Sequence, residues 1–295
     1  MAAEKAFYIH AGAHRTGTSS VQMFLHDNRA EISSQGFDAT YPGRDDIPSG
    51  TLGLRLPSPR HGETMQRRFI RKVRREVRTN SPDPTRALIL SEENIPGRMI
   101  HFYGSEFYPA AEARMKALRD GLEGTLKRVL FVVRPYDALY VSAFRKRAED
   151  LRVDPFSQQR AALMRMNRGW PALITAMRDI LKAEEMVVMT MSARGDNRNL
   201  IKNLVPELDR KNLTEPVQKM NVSATDTAMD VLQAHYRAGH ALDRDTWKNI
   251  IADNADNTKS TGFAEFTADQ KQQLRDTYEQ DCDALAKLKG ITFLR

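Results

Sequence analysis

Four short segments of this chain are apolar at nearly every position, and helical sequence separates each from the next. They are KAFYIH (Lys5 to His10), TRALILSEEN (Thr85 to Asn94), LKRVLFVVRP (Leu126 to Pro135) and EMVVMTM (Glu185 to Met191). A strand with one wet face alternates apolar and polar residues, whereas a continuous apolar run needs cover on both faces. The intervening stretches carry helical spacing: Val21, Phe24 and Leu25; then Met65, Phe69, Val73 and Val77 within TMQRRFIRKVRREVR; then PAAEARMKALRDGL and YDALYVSAFRKRAED. Strand and helix alternating in this way predict an α/β fold, a central parallel sheet flanked by helices. The 295 residues suffice for one such domain, residues 1–295, and no repeat or low-complexity block marks a boundary. Residues 241–295 are predicted to be a helical extension packed on it.

Other stretches are less regular. YPGRDDIPSGTLGLRLPSPRHGE (Tyr41 to Glu63) is rich in Gly and Pro and predicts a long surface loop, placed to overhang a cleft. Pro171 is expected to break or redirect the helical stretch FSQQRAALMRMNRGWPALITAMRDILKAE. NRNLIKNLVPEL predicts a short helix, and the chain from Ser223 onward is mostly helical, interrupted at ADNADNTKS.

In parallel sheets of this kind ligands bind beyond the carboxyl ends of the strands. Three such ends are polar here: Ala11 to Ser20, Ser91 to Asn94, and Arg134 with the helix after it. The first reads Gly12-Ala13-His14-Arg15-Thr16-Gly17-Thr18-Ser19-Ser20, a Gly-x-x-x-x-Gly spacing between a strand and a helix. That context favours a phosphate-binding turn and a P-loop type of sheet, with helix amides aimed at an anion. A nucleoside-triphosphate loop continues with lysine, and here Thr18 stands in that place. The cation lies inside the loop instead, at Arg15 beside His14, and Thr16, Thr18, Ser19 and Ser20 offer hydroxyls. An ordinary glycine turn would also satisfy the two glycines; Arg15 and the hydroxyl cluster favour a phosphate or diphosphate-like group.

A second anion contact is encoded in VLFVVRPYDALYVSAFRK. Arg134 ends an apolar strand, Pro135 is expected in the first helical turn, and Ser142 follows eight positions after Arg134. An arginine fork with a hydroxyl suits a phosphate monoester. The alternative is that Arg134 pairs with Asp137 and Ser142 only packs.

The loop AHRTGTSS and the Arg134/Ser142 pair, in this order, resemble the sulfotransferase family that uses 3'-phosphoadenosine 5'-phosphosulfate (PAPS). The form HAGAHRTGTSS is most similar to bacterial carbohydrate-type members. The resemblance covers the motifs and the order of elements through about residue 240. It implies that Arg15 binds the 5'-phosphosulfate and stabilises charge on the leaving oxygen, that His14 to Ser20 hold the 5'-phosphate end, and that Arg134 and Ser142 hold the 3'-phosphate. Members of the family generally carry lysine where Arg15 stands. Arginine keeps the charge but does not serve as a proton donor. The resemblance further implies a Ser-x-Glu base at Ser91-Glu92-Glu93, which assigns Glu93, with Glu92 second and His101 a third alternative. It also implies a cofactor contact at Asn221, while Ser223 with Asp226 reads as a helix cap. His10, at a strand end, is assigned no catalytic role. The late Arg-Lys-Gly motif of phenol and steroid enzymes is absent, so the expected acceptor is a hydroxyl on a small molecule or glycan. PAPS is the expected donor and 3'-phosphoadenosine 5'-phosphate (PAP) the product, with no metal required.

Composition narrows the rest. Lys and Arg number 45 against 38 Asp and Glu, a net +7, compatible with a charged cofactor, an acidic glycan or nucleic acid. No recognisable nucleic-acid module accompanies the arginines of RRFIRKVRREVR, so no nucleic-acid partner is expected. Cys282 is the one cysteine and forms no intrachain disulfide. No apolar run approaches a membrane span, and MAAEKAFYIHAGAH lacks the parts of a secretory signal, so a cytoplasmic protein without membrane insertion is expected. A homo-oligomer is compatible with the sequence, but nothing in it argues for one. The rival readings are a P-loop kinase or NTPase and a non-catalytic nucleotide-binding member of the same fold.

Overall fold

The computed structural model describes residues 4–43, 47–217 and 224–295. Its centre is a six-stranded, wholly parallel sheet: β1 (Ala6–His10), β2 (Phe37–Thr40), β3 (Ala87–Ser91), β4 (Thr125–Val133), β5 (Glu185–Thr190) and β6 (Thr292–Leu294), in the order β2-β3-β1-β4-β5-β6. The continuous apolar runs follow from cover on both faces. Phe7 and Ile9, Leu88 and Leu90, and Val129, Phe131 and Val133 enter one core, while Tyr8, Ile89, Leu130 and Val132 enter the other. Each fully buried side chain of this size contributes roughly 1.5–3 kcal/mol of transfer free energy.

The smaller core lies under α1 (Thr18–Asp27), α2 (Arg29–Ser34) and α8 (Asn197–Leu204), through Phe24, Leu25, Ile32 and Leu200. The larger core lies under α3 (Gln66–Asn80), α4 (Ala111–Gly121), α5 (Tyr136–Asp150), α6 (Phe156–Leu163) and α7 (Trp170–Leu181). In α3 the expected face is realised, with Phe69, Val73 and Val77 buried and the arginines turned outward. Between Tyr41 and Glu63 the described residues form no long helix or strand, as the Gly and Pro content requires, but Leu52 and Leu56 anchor the loop in the larger core.

Two prolines sit differently from expectation. Pro171 falls in the first turn of α7, where its missing N–H costs nothing, and the chain breaks earlier, between Leu163 and Trp170. Pro135 precedes α5 as its N-cap instead of lying in the first turn. The C-terminal part contributes α9 (Asp226–Arg237), α10 (Arg244–Asp253) and α11 (Ala268–Ala286), then the edge strand β6. Thr225 caps α9, its hydroxyl accepting from Ala228 N, and Thr267 with Gln270 forms a capping box on α11. Leu274, Tyr278, Cys282 and Leu285 of α11 join the larger core. Asn221 and Ser223 lie outside the described residues. Among the described residues no helix is long and apolar enough to cross a membrane.

Candidate functional site

β1 has β3 on one side and β4 on the other, so the three polar strand ends adjoin one another at the carboxyl edge of the sheet. After β1 the chain turns toward the β2 edge, and after β4 toward the β6 edge. The crevice between these diverging connections is where open parallel sheets bind ligands.

The loop after β1 continues the ladder for a few residues: Ala11 N and Ala13 N donate to Leu130 O (3.0 Å) and Val132 O (3.1 Å). Gly12 has φ 101° and packs so closely on the β3 end that a Cβ there would lie 3.2 Å from Glu93 Cα. Gly17, φ 86°, occupies the N-cap position of α1 in a left-handed conformation that glycine adopts without a Cβ clash. Two of the expected hydroxyl donors are turned inward. Thr16 Oγ1 and Thr18 Oγ1 donate to Ala13 O at 2.7 and 3.3 Å, which staples the loop. Ser20 Oγ accepts from Asn197 Nδ2 at 2.9 Å, and Ser19 is buried. The first amide of α1 to bond back is Val21 N, to Gly17 O at 3.1 Å, leaving the first-turn N–H groups without intrahelical acceptors.

Three arginines from three strand ends converge on this helix terminus. Arg15, φ 62°, donates from Nε to Ser142 Oγ at 2.8 Å. Arg134 Nη1 donates to the carbonyl of Arg15. Burial and then the neighbouring charge of Arg15 hold the Arg134 guanidinium below its usual range, with Asp137 acting the other way. Asp137 nevertheless makes its ion pair with Arg275 of α11 at 3.1 Å, so Arg134 is not consumed by its acidic neighbour. Ser142, likewise, does more than pack.

The third arginine, Arg194, follows β5, and sequence reasoning missed it. It is 92% buried, donates to Asn197 Oδ1 and Gly195 O (both 2.7 Å), and stacks so close to Gly17 that a Cβ there would meet Nη2 at 3.0 Å. Its Nε is buried with no partner among the described residues. The one available signal was the string ARGDN at a fourth strand end, with Asp196 capping α8.

On the β3 side the two carboxylates part company. Glu92 is buried, and its Oε1 accepts from both Asn94 N and Asn94 Nδ2 at 2.8 Å, closing the turn after the strand. Glu93 is half-buried beside Gly12 at the loop. Its charge reaches the neighbouring side chains: it favours protonated His10 and the neutral Tyr108 phenol. His14 is buried, stacked on Tyr108 at 5.8 Å, with Nδ1 3.1 Å from Tyr108 Oη and Nε2 3.2 Å from Asn94 Oδ1. Asn94 Oδ1 only accepts, so Nε2 carries a proton, and in the neutral imidazole Tyr108 donates to Nδ1. His10 is fully buried against Ser91 Oγ (2.9 Å), and burial, then the Arg194 charge, push it down to about 3. It is a neutral packing group. His101 lies on the short helical turn Met99–Gly104 and faces Glu106 at 3.9 Å.

Thus the fold brings Arg15, Gly17, Arg134, Ser142 and the α1 amides to one place, with His14 and Glu93 on its β3 side. Neither the family models nor the curated proteins compared with this chain match it, so functional argument rests on the site itself.

Proposed function

We propose that the chain is a sulfotransferase, carrying the sulfuryl group of PAPS to a hydroxyl of a saccharide or related acceptor. The observation that carries this reading is the bonding of Arg15 to Ser142 and of Arg134 to the Arg15 carbonyl, which brings the two arginines near the N-terminus of α1, close enough for the charge of Arg15 to act on Arg134. Two mutually repelling cations, beside helix amides that lack intrahelical acceptors, fit a ligand with more than one anionic group. The missing lysine after Gly17 and the inward-turned Thr18 hydroxyl fit a magnesium-triphosphate chain less well.

When bound, PAPS supplies a sulfuryl group whose S–O bond to phosphate breaks as a bond to the acceptor oxygen forms. The chain's own part is electrostatic and positional. The α1 amides and Arg15 hold the 5' end and stabilise the charge that gathers on the phosphate oxygen. Arg134 and Ser142 hold the 3'-phosphate. Glu93, beside the loop, takes the proton of the acceptor hydroxyl. Glu92 closes the turn that presents Glu93.

Calorimetric titration tests this reading. PAP binds and magnesium ATP binds more weakly; Arg134→Ala weakens PAP by about 10–100-fold, the worth of a charge-assisted hydrogen bond. A preference for magnesium ATP, or indifference to Arg134→Ala, refutes it.

A further inference from the structure

A cavity of about 580 Å³ opens on the β3 side of the site, between the loop before α3, α3 itself and the turn after β3. Leu54, Leu56, Met65 and Phe69 form its apolar part. Its charged lining is one-sided: Arg55, Arg60, Arg68, Lys72 and Arg98 face it. Among the described residues its one carboxylate is Glu92, which is engaged by the Asn94 turn and lies beside the buried Arg114, whose charge it favours.

The two sides of α3 contrast. Arg74 and Arg78 share Glu123 at 2.9 and 2.8 Å on one side. On the other, Arg68, Arg71, Lys72 and Arg75 follow helical i, i+3, i+4, i+7 spacing, and Arg55 joins them in an adjoining depression. Among the described residues no carboxylate pairs with any of these five cations or with Arg60 and Arg98. Like charges four residues apart destabilise a helix. Burial, and then the charges of Arg68, Arg55 and Arg75, lower the Lys72 ammonium from its usual range. A ridge of cations left unpaired beside a cavity is suited to an anionic ligand that supplies the missing charge. Along α3 the ridge spans about 10 Å, so it meets more than one charged group.

The cavity adjoins the site through the turn after β3. Glu92 and Asn94 line it, Asn94 Oδ1 is bonded by His14, and Glu93 between them packs on Gly12. We propose that this cavity is the acceptor site and takes an oligosaccharide bearing carboxylate or sulfate groups on more than one sugar, with the target hydroxyl toward Glu93. Neutral saccharides, which leave the cations unpaired, are poor acceptors. This rests on the sulfuryl-transfer reading, but binding tests it separately.

The test uses a heparin-derived hexasaccharide, a neutral cello-oligosaccharide of the same length and a single-stranded oligonucleotide of matched charge, each titrated against the full chain. Arg68→Glu with Lys72→Glu is compared with Lys287→Glu and Lys289→Glu, an equal charge change at exposed positions near the opposite sheet edge. The cavity pair weakens hexasaccharide binding by at least about tenfold and the distant pair by less than about twofold, while PAP affinity stays unchanged and reports an intact fold. Equal losses in both pairs, a neutral oligosaccharide that binds as well, or tighter binding of the oligonucleotide overturns the proposal. If the hexasaccharide binds in the cavity and PAP does not bind at all, the cavity assignment stands and the sulfuryl-transfer reading falls.

Discussion

Replacing Gly17 by alanine tests the link between the loop and the arginine behind it. Gly17 has φ 86°, so any Cβ costs about 1 kcal/mol or more of backbone strain. A Cβ there also lies 3.0–3.2 Å from three atoms of the Arg194 guanidinium. That group cannot swing aside freely, because it is buried and donates to Asn197 Oδ1 and Gly195 O. Giving up one such charged hydrogen bond costs roughly 1.5–3 kcal/mol, so Gly17→Ala is expected to destabilise by about 2.5–4 kcal/mol in total. In an Arg194→Ala background the clash is gone and only the strain of about 1 kcal/mol remains. Urea unfolding of the two single variants and the double variant measures the coupling directly, expected at about 1.5–3 kcal/mol. Additive costs would show that Arg194 does not brace the loop, and the reasoning would fail.

Other expectations rest on separate contacts. On the proposed reading, Glu93→Gln keeps the shape of the site and removes the proposed base, so transfer falls by about 10²–10⁴-fold while PAP affinity is retained; equal losses in both measurements would assign Glu93 to cofactor binding instead. His10 is held neutral in the fold, with its pKa pushed down to about 3 against an ordinary value of 6.5. Below pH 6.5 the unfolded chain therefore binds a proton that the native chain refuses, and stability present above that pH is lost toward pH 3, at up to about 1.4 kcal/mol per unit. His10→Asn, which preserves a partner for Ser91, should flatten the urea midpoint between pH 7 and 5; an unchanged slope would contradict a neutral buried imidazole. Asp281→Ala strands the Tyr136 hydroxyl, which donates to Asp281 and accepts from Trp170 N at 2.7 Å. The expected loss is about 1–3 kcal/mol, together with weaker PAP binding, because Trp170 Nε1 in turn holds the Arg134 carbonyl.

The sheet was legible because its four central strands advertise two-sided burial, and the loop because its glycines stand between a strand and a helix. The strands that escaped are edge strands. FDAT and TFL are short and only partly buried, so no apolar run distinguishes them from loop. Residue type identified Arg15, Arg134 and Ser142 but not their partners. That Asp137 is occupied by Arg275, 138 positions later, depends on how α11 packs. The same holds for Arg194 and for the chain of hydrogen bonds from Ser20 through Asn197 to Glu215, which exists because α8 lies beside α1. Glu92 and Glu93 are adjacent and identical in type; only the turn geometry, which turns one into Asn94 and sets the other beside Gly12, separates them.

The arginine at position 15 gains a physical rationale from this arrangement. A lysine has one terminal ammonium on a flexible stem, whereas arginine spreads its donors along a rigid fork. Arg15 uses Nε on Ser142 to fix its own direction, and its Nη groups donate to no described residue. Arg134 uses Nη1 on the Arg15 carbonyl and thereby holds the loop in its left-handed turn. Both spent donors immobilise Arg15: its own Nε fixes its side chain, and Arg134 Nη1 fixes its backbone. The cost of ordering two long side chains, and of holding two like charges together, is met when the chain folds and not when an anion arrives. Donors fixed in place before charge develops are those that stabilise it most. On the proposed sulfuryl-transfer reading, an arginine in the loop gives up the proton-donating role of a lysine and favours the electrostatic one, with Ser142 standing where Nε can reach it.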